Sequence, residues 1–206
     1  MQHRFLKSRS TLTDIKQLKD FWLQNMEKGK HCSALLLDLQ AGFNVINVKL
    51  LCEKLKTYGF DDNSLSWFKD YLTGRSQCVQ IDSKLSASLE VPWGVPQGSQ
   101  ISQILFTIFI MELPDVIEES HKETAIGDED PEDMEELERT SETETDAMIV
   151  IYADDNTPSC ARDNLEDLEE KTEELANTCA DWFHMNDMIL SSDKTKLLII
   201  GTNRNR

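Results

Sequence analysis

Met148-Ile149-Val150-Ile151-Tyr152-Ala153-Asp154-Asp155 is an apolar run that leads straight into two adjacent carboxylates. The β-branched and aromatic residues read as a buried strand. Neighbouring acids repel each other, and a charge at the end of a buried strand is costly without a partner. The pair therefore sits either in a solvated turn, which Asp favours, or at a tight turn that holds a cation. The rest of the chain has to decide between the two.

Working outward, Ser33 to Leu39 is a second short apolar run and carries a single acid, Asp38. It too reads as a buried strand. Gly94-Val95-Pro96-Gln97-Gly98-Ser99 is a loop, with Ser99 placed to cap a helix running to about Leu113. Leu12, Ile15, Leu18 and Trp22 recur at helical spacing and predict a helix over 11–29. Leu50, Leu51, Lys54 and Leu55 do the same over Asn47 to Tyr58, closed by Gly59. Leu65, Phe68 and Leu72 predict a further helix from Ser64 to Leu72. Cys78 to Ile81 and Leu85 to Val91 alternate as a hairpin would. After the acid pair, Leu165, Leu168, Leu175, Cys179 and Trp182 mark one face of a long helix. Met188 to Leu190 and Leu197 to Ile200 predict a closing hairpin.

Length allows one domain, or one domain with an appendage. A formal charge of −17 looks wrong for a nucleic-acid enzyme, because phosphate binding needs cationic surface. The charge is concentrated, however. Residues 118–146 hold fourteen Asp or Glu against Lys122 and Arg139, a net of −12, so the rest of the chain sums to −5. The stretch has almost no large apolar side chains and reads as disordered. It lacks the ligand spacing of an EF-hand loop. Five scattered cysteines, with no Cys-x-x-Cys spacing, exclude a disulfide framework or zinc knuckle and imply reduced, buried thiols. The polar N-terminus shows no signal peptide, and Ile101 to Leu113 is too short to span a bilayer. A soluble intracellular protein is expected, with nucleus or cytoplasm left open and no membrane partner.

Asp38, the loop Gly94 to Ser99 and Asp154-Asp155, in this order, resemble the palm of a reverse transcriptase of the non-long-terminal-repeat retrotransposon type (LINE, jockey-like). The likeness extends from Gln2 to about Thr202. It takes in Gln2 to Thr11, Asp38 to Phe43, Gly59-Phe60, Trp67 to Arg75, Leu105-Phe106, Tyr152 to Asp155, Trp182-Phe183 and Lys194-Thr195. The resemblance implies an α+β right-hand fold, a small antiparallel sheet backed by helices. Residues 1–30 would be partial fingers, 31–117 the first part of palm and fingers, 118–146 an acidic disordered insertion, and 147–206 the catalytic hairpin and closing elements.

The same resemblance implies RNA-directed DNA polymerase activity on an RNA template with a DNA primer and deoxynucleoside triphosphates. Two Mg²⁺ ions, or Mn²⁺ in their place, would sit at Asp38, Asp154 and Asp155, with the backbone oxygen of Leu39 assisting. Hard cations take carboxylate oxygens, and in-line displacement at phosphorus suits a pair of ions. Phe43 would crowd the sugar's 2′ position, against the alternative of a plain core aromatic. Gln97 and Gly98 would lie under template and incoming base. Lys194 would protonate pyrophosphate, against the alternative of a solvated lysine, and Lys7 and Arg9 would steer the triphosphate. The chain departs from the family pattern at Arg4, Leu6, Asn44 and Gln100 to Gln103. Those departures and the extent of the match lead to the expectation of a truncated or partly degenerate copy. An inert remnant, or an interaction module using 118–146 to bind a protein partner, is the competing reading.

Overall fold

Both acid-ended apolar runs form strands of one sheet. The computed structural model describes residues 11–125 and 146–201. In chain order the elements are α1 (Thr11–Glu27), β1 (His31–Asp38), a 3-10 turn (Gly42–Asn44), α2 (Val48–Thr57) and α3 (Asp62–Leu72). Four two-residue strands follow, β2 (Ser76–Gln77), β3 (Gln80–Ile81), β4 (Lys84–Leu85) and β5 (Leu89–Glu90). Then come α4 (Gln100–Ile110), α5 (Leu113–Ala125), β6 (Ala147–Tyr152), β7 (Asp155–Arg162), α6 (Leu165–Met185) and β8 (Lys196–Ile200). The architecture is α+β, as expected. The chain divides into two compact units. One holds the chain up to Asp38, Glu112–Trp182 and the residues from Leu190; the other holds Leu39–Met111 and Phe183–Ile189.

The first unit is built on a four-stranded antiparallel sheet in the order β6-β7-β1-β8. Side chains alternate between its faces. Cys32 and Ala161 are opposed in register and pack with Phe21, Trp22 and Met26 of α1, beside Met148 and Ile200. Ser33 and Cys160, one residue along, face the other way and meet Thr172 of α6, with Ser33 Oγ 2.6 Å from Thr172 Oγ1. The sheet is thus covered by α1 on one face and α6 on the other. Pro158 lies in the interior strand β7. The β1–β7 ladder is interrupted opposite it, between the pairs Ala34↔Ser159 and Leu37↔Asn156, because proline has no N–H to donate.

In the second unit α2 buries Val48, Leu51, Lys54 and Leu55. Lys54 keeps its stem in the core and sets Nζ over the Phe109 ring of α4, 5.3 Å from the centroid. Asn47 caps α2 by accepting from the N–H groups of Lys49 and Leu50, and Asp61 caps α3 in the same way through Asn63 and Ser64. Two short ladders, β2 with β5 and β3 with β4, make the expected ribbon.

Several expectations are corrected. Residues 118–125, read as the start of a disordered stretch, are helical and complete α5. The apolar start of this helix, with Leu113 and Ile117 buried, carries its polar end. Residues 126–145 of that stretch lie outside the described residues. The helix expected to reach about Leu113 stops at Ile110, and α5 starts afresh with Pro114 in its first turn. That break falls within Gln100–Ser120, the one stretch among the described residues long and apolar enough by composition to cross a bilayer. Ser99 precedes α4 but makes no side-chain cap; its Oγ accepts instead from Tyr71 Oη at 2.8 Å. The closing hairpin is absent. The run Leu197 to Ile200 pairs with β1, whose edge offers a ladder, while the N–H of Met188 folds back to the Phe183 carbonyl. Along α1, Leu12 and Ile15 are exposed, and Phe21 and Asn25 take the buried positions. Cys32, Cys160 and Cys179 are buried free thiols as expected, but Cys78 is exposed.

Candidate active site

The sheet register brings the three predicted acids to one end of the first unit. β1 finishes on Asp38, whose Cα partner across the sheet is Asp155, the first residue of β7. Tyr152 pairs with the same Asp155 across the β6–β7 hairpin, so Ala153 and Asp154 form its two-residue turn. A hairpin turn this short needs positive φ, usually supplied by glycine. Here Ala153 takes it, with φ 58°, a position costly for a residue with a Cβ. The Asp154 side chain is half-buried and that of Asp155 exposed.

A turn beyond α6 completes the group. The N–H of Ser191 donates to the Asp38 carbonyl at 2.8 Å, and the N–H groups of Lys194 and Thr195 fold back onto the Ser191 carbonyl. Lys194 is thereby held over the acids, its Nζ 2.9 Å from Asp38 Oδ2. The distance suits a hydrogen bond but the aim is poor: Oδ2 is buried and receives no directed hydrogen bond. The contact is an ion pair. It raises the Lys194 pKa above the ordinary lysine value, first through the close contact with Asp38 and its charge, then through Asp154 and Asp155, against some desolvation. The lysine is charged at neutral pH.

Among the described residues no three His, Cys, Asp or Glu side chains close into a metal cage. In kind, the residues still fit a hard divalent ion. All the donors are carboxylate oxygens, and the buried Oδ2 of Asp38 accepts no directed hydrogen bond, leaving its lone pairs to a cation, the place the Lys194 ammonium now takes.

In the second unit two predicted loops are joined. The N–H of Gly94 donates to the Ile46 carbonyl and that of Val95 to the Phe43 carbonyl, both at 2.8 Å. Gln97 Nε2 donates to Asn44 Oδ1 at 3.0 Å. Gly94 has φ +75°, and a Cβ there would meet the Asn44 backbone at 2.6 Å. It is therefore Gly94, more than Gly98, that permits the close approach expected of a glycine in this loop. Gly98 also has positive φ but stands in open space. Phe43 is half-buried and stacks on the buried ring of Phe106, centroids 4.3 Å apart. Arg75 donates to the carbonyls of Leu72, Trp93 and Gly94 and braces the loop.

Of the predicted residues, Asp38, Asp154, Asp155 and Lys194 are together in the first unit. Leu39, Phe43, Gln97 and Gly98 belong to the second. Lys7 and Arg9 lie outside the described residues. Sequence reasoning missed Ser191, which anchors the Lys194 turn, and Arg75, whose role depends on carbonyls no pattern reveals. Asn44 stands in the sequence only as a departure from the family pattern, whereas its side chain holds Gln97. Asn156, directly after the acid pair, was also missed.

The sequence profile of the reverse transcriptase (RNA-dependent DNA polymerase) family matches residues 1–203. The chain belongs to this family. It is 25% identical over 185 residues to a probable RNA-directed DNA polymerase from transposon BS of Drosophila melanogaster, covering 88% of this chain and 18% of that protein. It is 26% identical over 154 residues to the RNA-directed DNA polymerase from the mobile element jockey of the same species, covering 75% of this chain and 14% of that protein. The chain thus spans less than a fifth of either relative. An apo telomerase from Candida tropicalis, truncated from its C-terminal domain, shares the fold, with a TM-score of 0.62 over 95% of this chain and 36% of that one at 12% identity.

Proposed function

We propose that this chain performs template-directed deoxynucleotidyl transfer, extending a DNA primer on an RNA template. The observation that carries the reading is the register Asp38↔Asp155, with Asp154 in the adjoining turn. It gathers three hard-oxygen donors from two distant segments at one sheet end. Bound there, a pair of Mg²⁺ or Mn²⁺ ions would activate the primer hydroxyl and neutralise charge on the departing pyrophosphate. Asp38, Asp154 and Asp155 would hold them, with the Leu39 carbonyl assisting. Lys194 stays protonated well above neutral pH and is the group positioned to give a proton to pyrophosphate. Phe43 would exclude the 2′-hydroxyl, Gln97 and Gly98 would support the base, and Lys7 and Arg9 would guide the triphosphate.

The test is primer extension on an RNA template with Mg²⁺ and deoxynucleotides, wild type beside Asp154→Ala, both confirmed folded. Extension by wild type alone is expected. Equal extension by both would refute the site. A second reading, a palm retained as an inert interaction module, is favoured by the fourteen acids of 118–146. It predicts silence from both folded proteins.

A further inference from the structure

Asn156 is wholly buried, although its Cα partners across the sheet, Ile151 and Leu37, are apolar and its position invites an apolar residue. A buried amide is unfavourable unless its hydrogen bonds are met. Only its nitrogen has a partner. Nδ2 donates to the backbone carbonyl of Asp154 at 2.9 Å, while Oδ1 is buried with no partner. The amide cannot be turned the other way, since the Asp154 carbonyl can only accept. As a contribution to stability this is a poor choice of side chain. As a restraint on Asp154 it is a good one.

The turn needs restraint. Ala153 holds a left-handed conformation that disfavours alanine. Two residues beyond Asn156, Pro158 interrupts the ladder that would otherwise tie β7 firmly to β1. The Asp154 carbonyl is a turn carbonyl, and fixing it limits the rotation that swings the carboxylate away from Asp38 and Asp155. We propose that Asn156 is a positioning residue for the catalytic turn, its amide clamping Asp154 so that the carboxylate is aimed before a metal ion arrives. The inference rests on the polymerase reading above.

Asn156→Leu removes the donor, substitutes an apolar side chain of the same branched shape and deletes the unsatisfied oxygen. Its melting temperature should be equal to or above that of wild type. Loss of a residue supporting a metal ligand typically costs about 10- to 100-fold in affinity or activity. Mn²⁺ affinity of the free protein, read by electron paramagnetic resonance, and kcat for primer extension should both fall in that range. Asn156→Val, a second donor-free variant suited to a strand, should behave alike if the leucine protein does not fold. Unchanged Mn²⁺ affinity and kcat in a donor-free variant would overturn the proposal. So would losses seen only together with a lowered melting temperature, which mark a merely structural role. Asp154→Ala serves as the reference. If it leaves Mn²⁺ binding at the wild-type level, or wild type binds none, the polymerase reading itself fails and the clamp with it. If Asp154→Ala abolishes binding and Asn156→Leu does not, only the clamp is wrong.

Discussion

Replacing Phe43 by alanine separates the two roles open to that ring. Its stack on Phe106, at 4.3 Å and 15° between planes, is worth about 0.5–1.5 kcal/mol beyond area burial. Burying a phenylalanine fully contributes about 1.5–3 kcal/mol, and Phe43 is half-buried, so roughly half of that applies. Phe43→Ala should therefore cost about 1.5–3 kcal/mol, less than the ~3–5 kcal/mol of a fully buried phenylalanine. The backbone should hold, because the Phe43 carbonyl still accepts from Val95. Urea denaturation gives the stability, and single-nucleotide extension with deoxy- or ribonucleotide gives the sugar preference. An apolar wall rejects an added hydroxyl by only about 100-fold at most, and the variant should lose most of that factor. Lost stability with an unchanged sugar preference would show that the ring serves the fold alone. Unchanged stability would refute the stack.

Asn47 accepts two helix N–H groups and donates to Asp187 Oδ2 at 2.7 Å; Asn47→Ala should cost about 1–2 kcal/mol in the same urea assay, and a cost near zero would discount the cap. Asp146 pairs with Lys30 Nζ at 2.7 Å and with Arg162 at 3.5 Å just before β6. Asp146→Asn should cost about 1 kcal/mol at low salt and less in high salt, which a partly exposed ion pair predicts and a packing defect does not. In alkali the folded protein should weaken under reducing conditions. Burial pushes the Cys32 thiol up to about 11 and Cys179 up to about 12, against ~8.5 in an unfolded chain. Both pKa values are raised, so the stability they contribute is complete below ~8.5 and is lost as pH rises through the folded values. By pH 10 Cys179 alone accounts for about 2 kcal/mol, and Lys194, also raised, adds to the loss above ~10.4. Urea midpoints that do not change between pH 8 and 10 would contradict this.

The acid-bearing strands were legible because their chemistry is local. An apolar run that ends on Asp38, and another that ends on Asp154-Asp155, state their own burial and their own exception. Period and turn residues likewise placed α2, α3 and α6 within a few positions. What failed was whatever depended on a distant partner. Leu197 to Ile200 reads the same whether it pairs with Met188 to Leu190 or with β1, and only the open edge of β1 decides. Leu12 and Ile15 carry a helical stripe, yet the sheet offers cover only to Phe21, Trp22 and Met26. Ser99 looks like a cap until Tyr71 takes its hydroxyl. At the site, Lys194 could be named by resemblance, but not the Ser191 bond that sets it over Asp38, because a serine hydrogen-bonding through its backbone leaves no mark in a sequence.

The acidic stretch gives the sharpest test between an enzyme and an interaction module. Residues 126–145 contribute ten acids and Arg139, a net of −9, so replacing them with an uncharged linker leaves −8 of the original −17. Asp146 stays, and with it the pairing that starts β6. Charges in the stretch repel a primer–template only within about a Debye length, ~10 Å at 0.1 M salt. If the palm binds nucleic acid, deletion should tighten primer–template affinity at low salt, and the gain should shrink as salt rises. It should also leave the melting temperature near wild type, since the remaining anchor is intact. A gain that persists at high salt would mean the stretch blocks the site by contact rather than by charge. Loss of affinity on deletion would make the acids part of the binding surface, which phosphate chemistry forbids unless a cation bridges them. No detectable affinity with or without the stretch would leave the palm as architecture and assign the function to the acids.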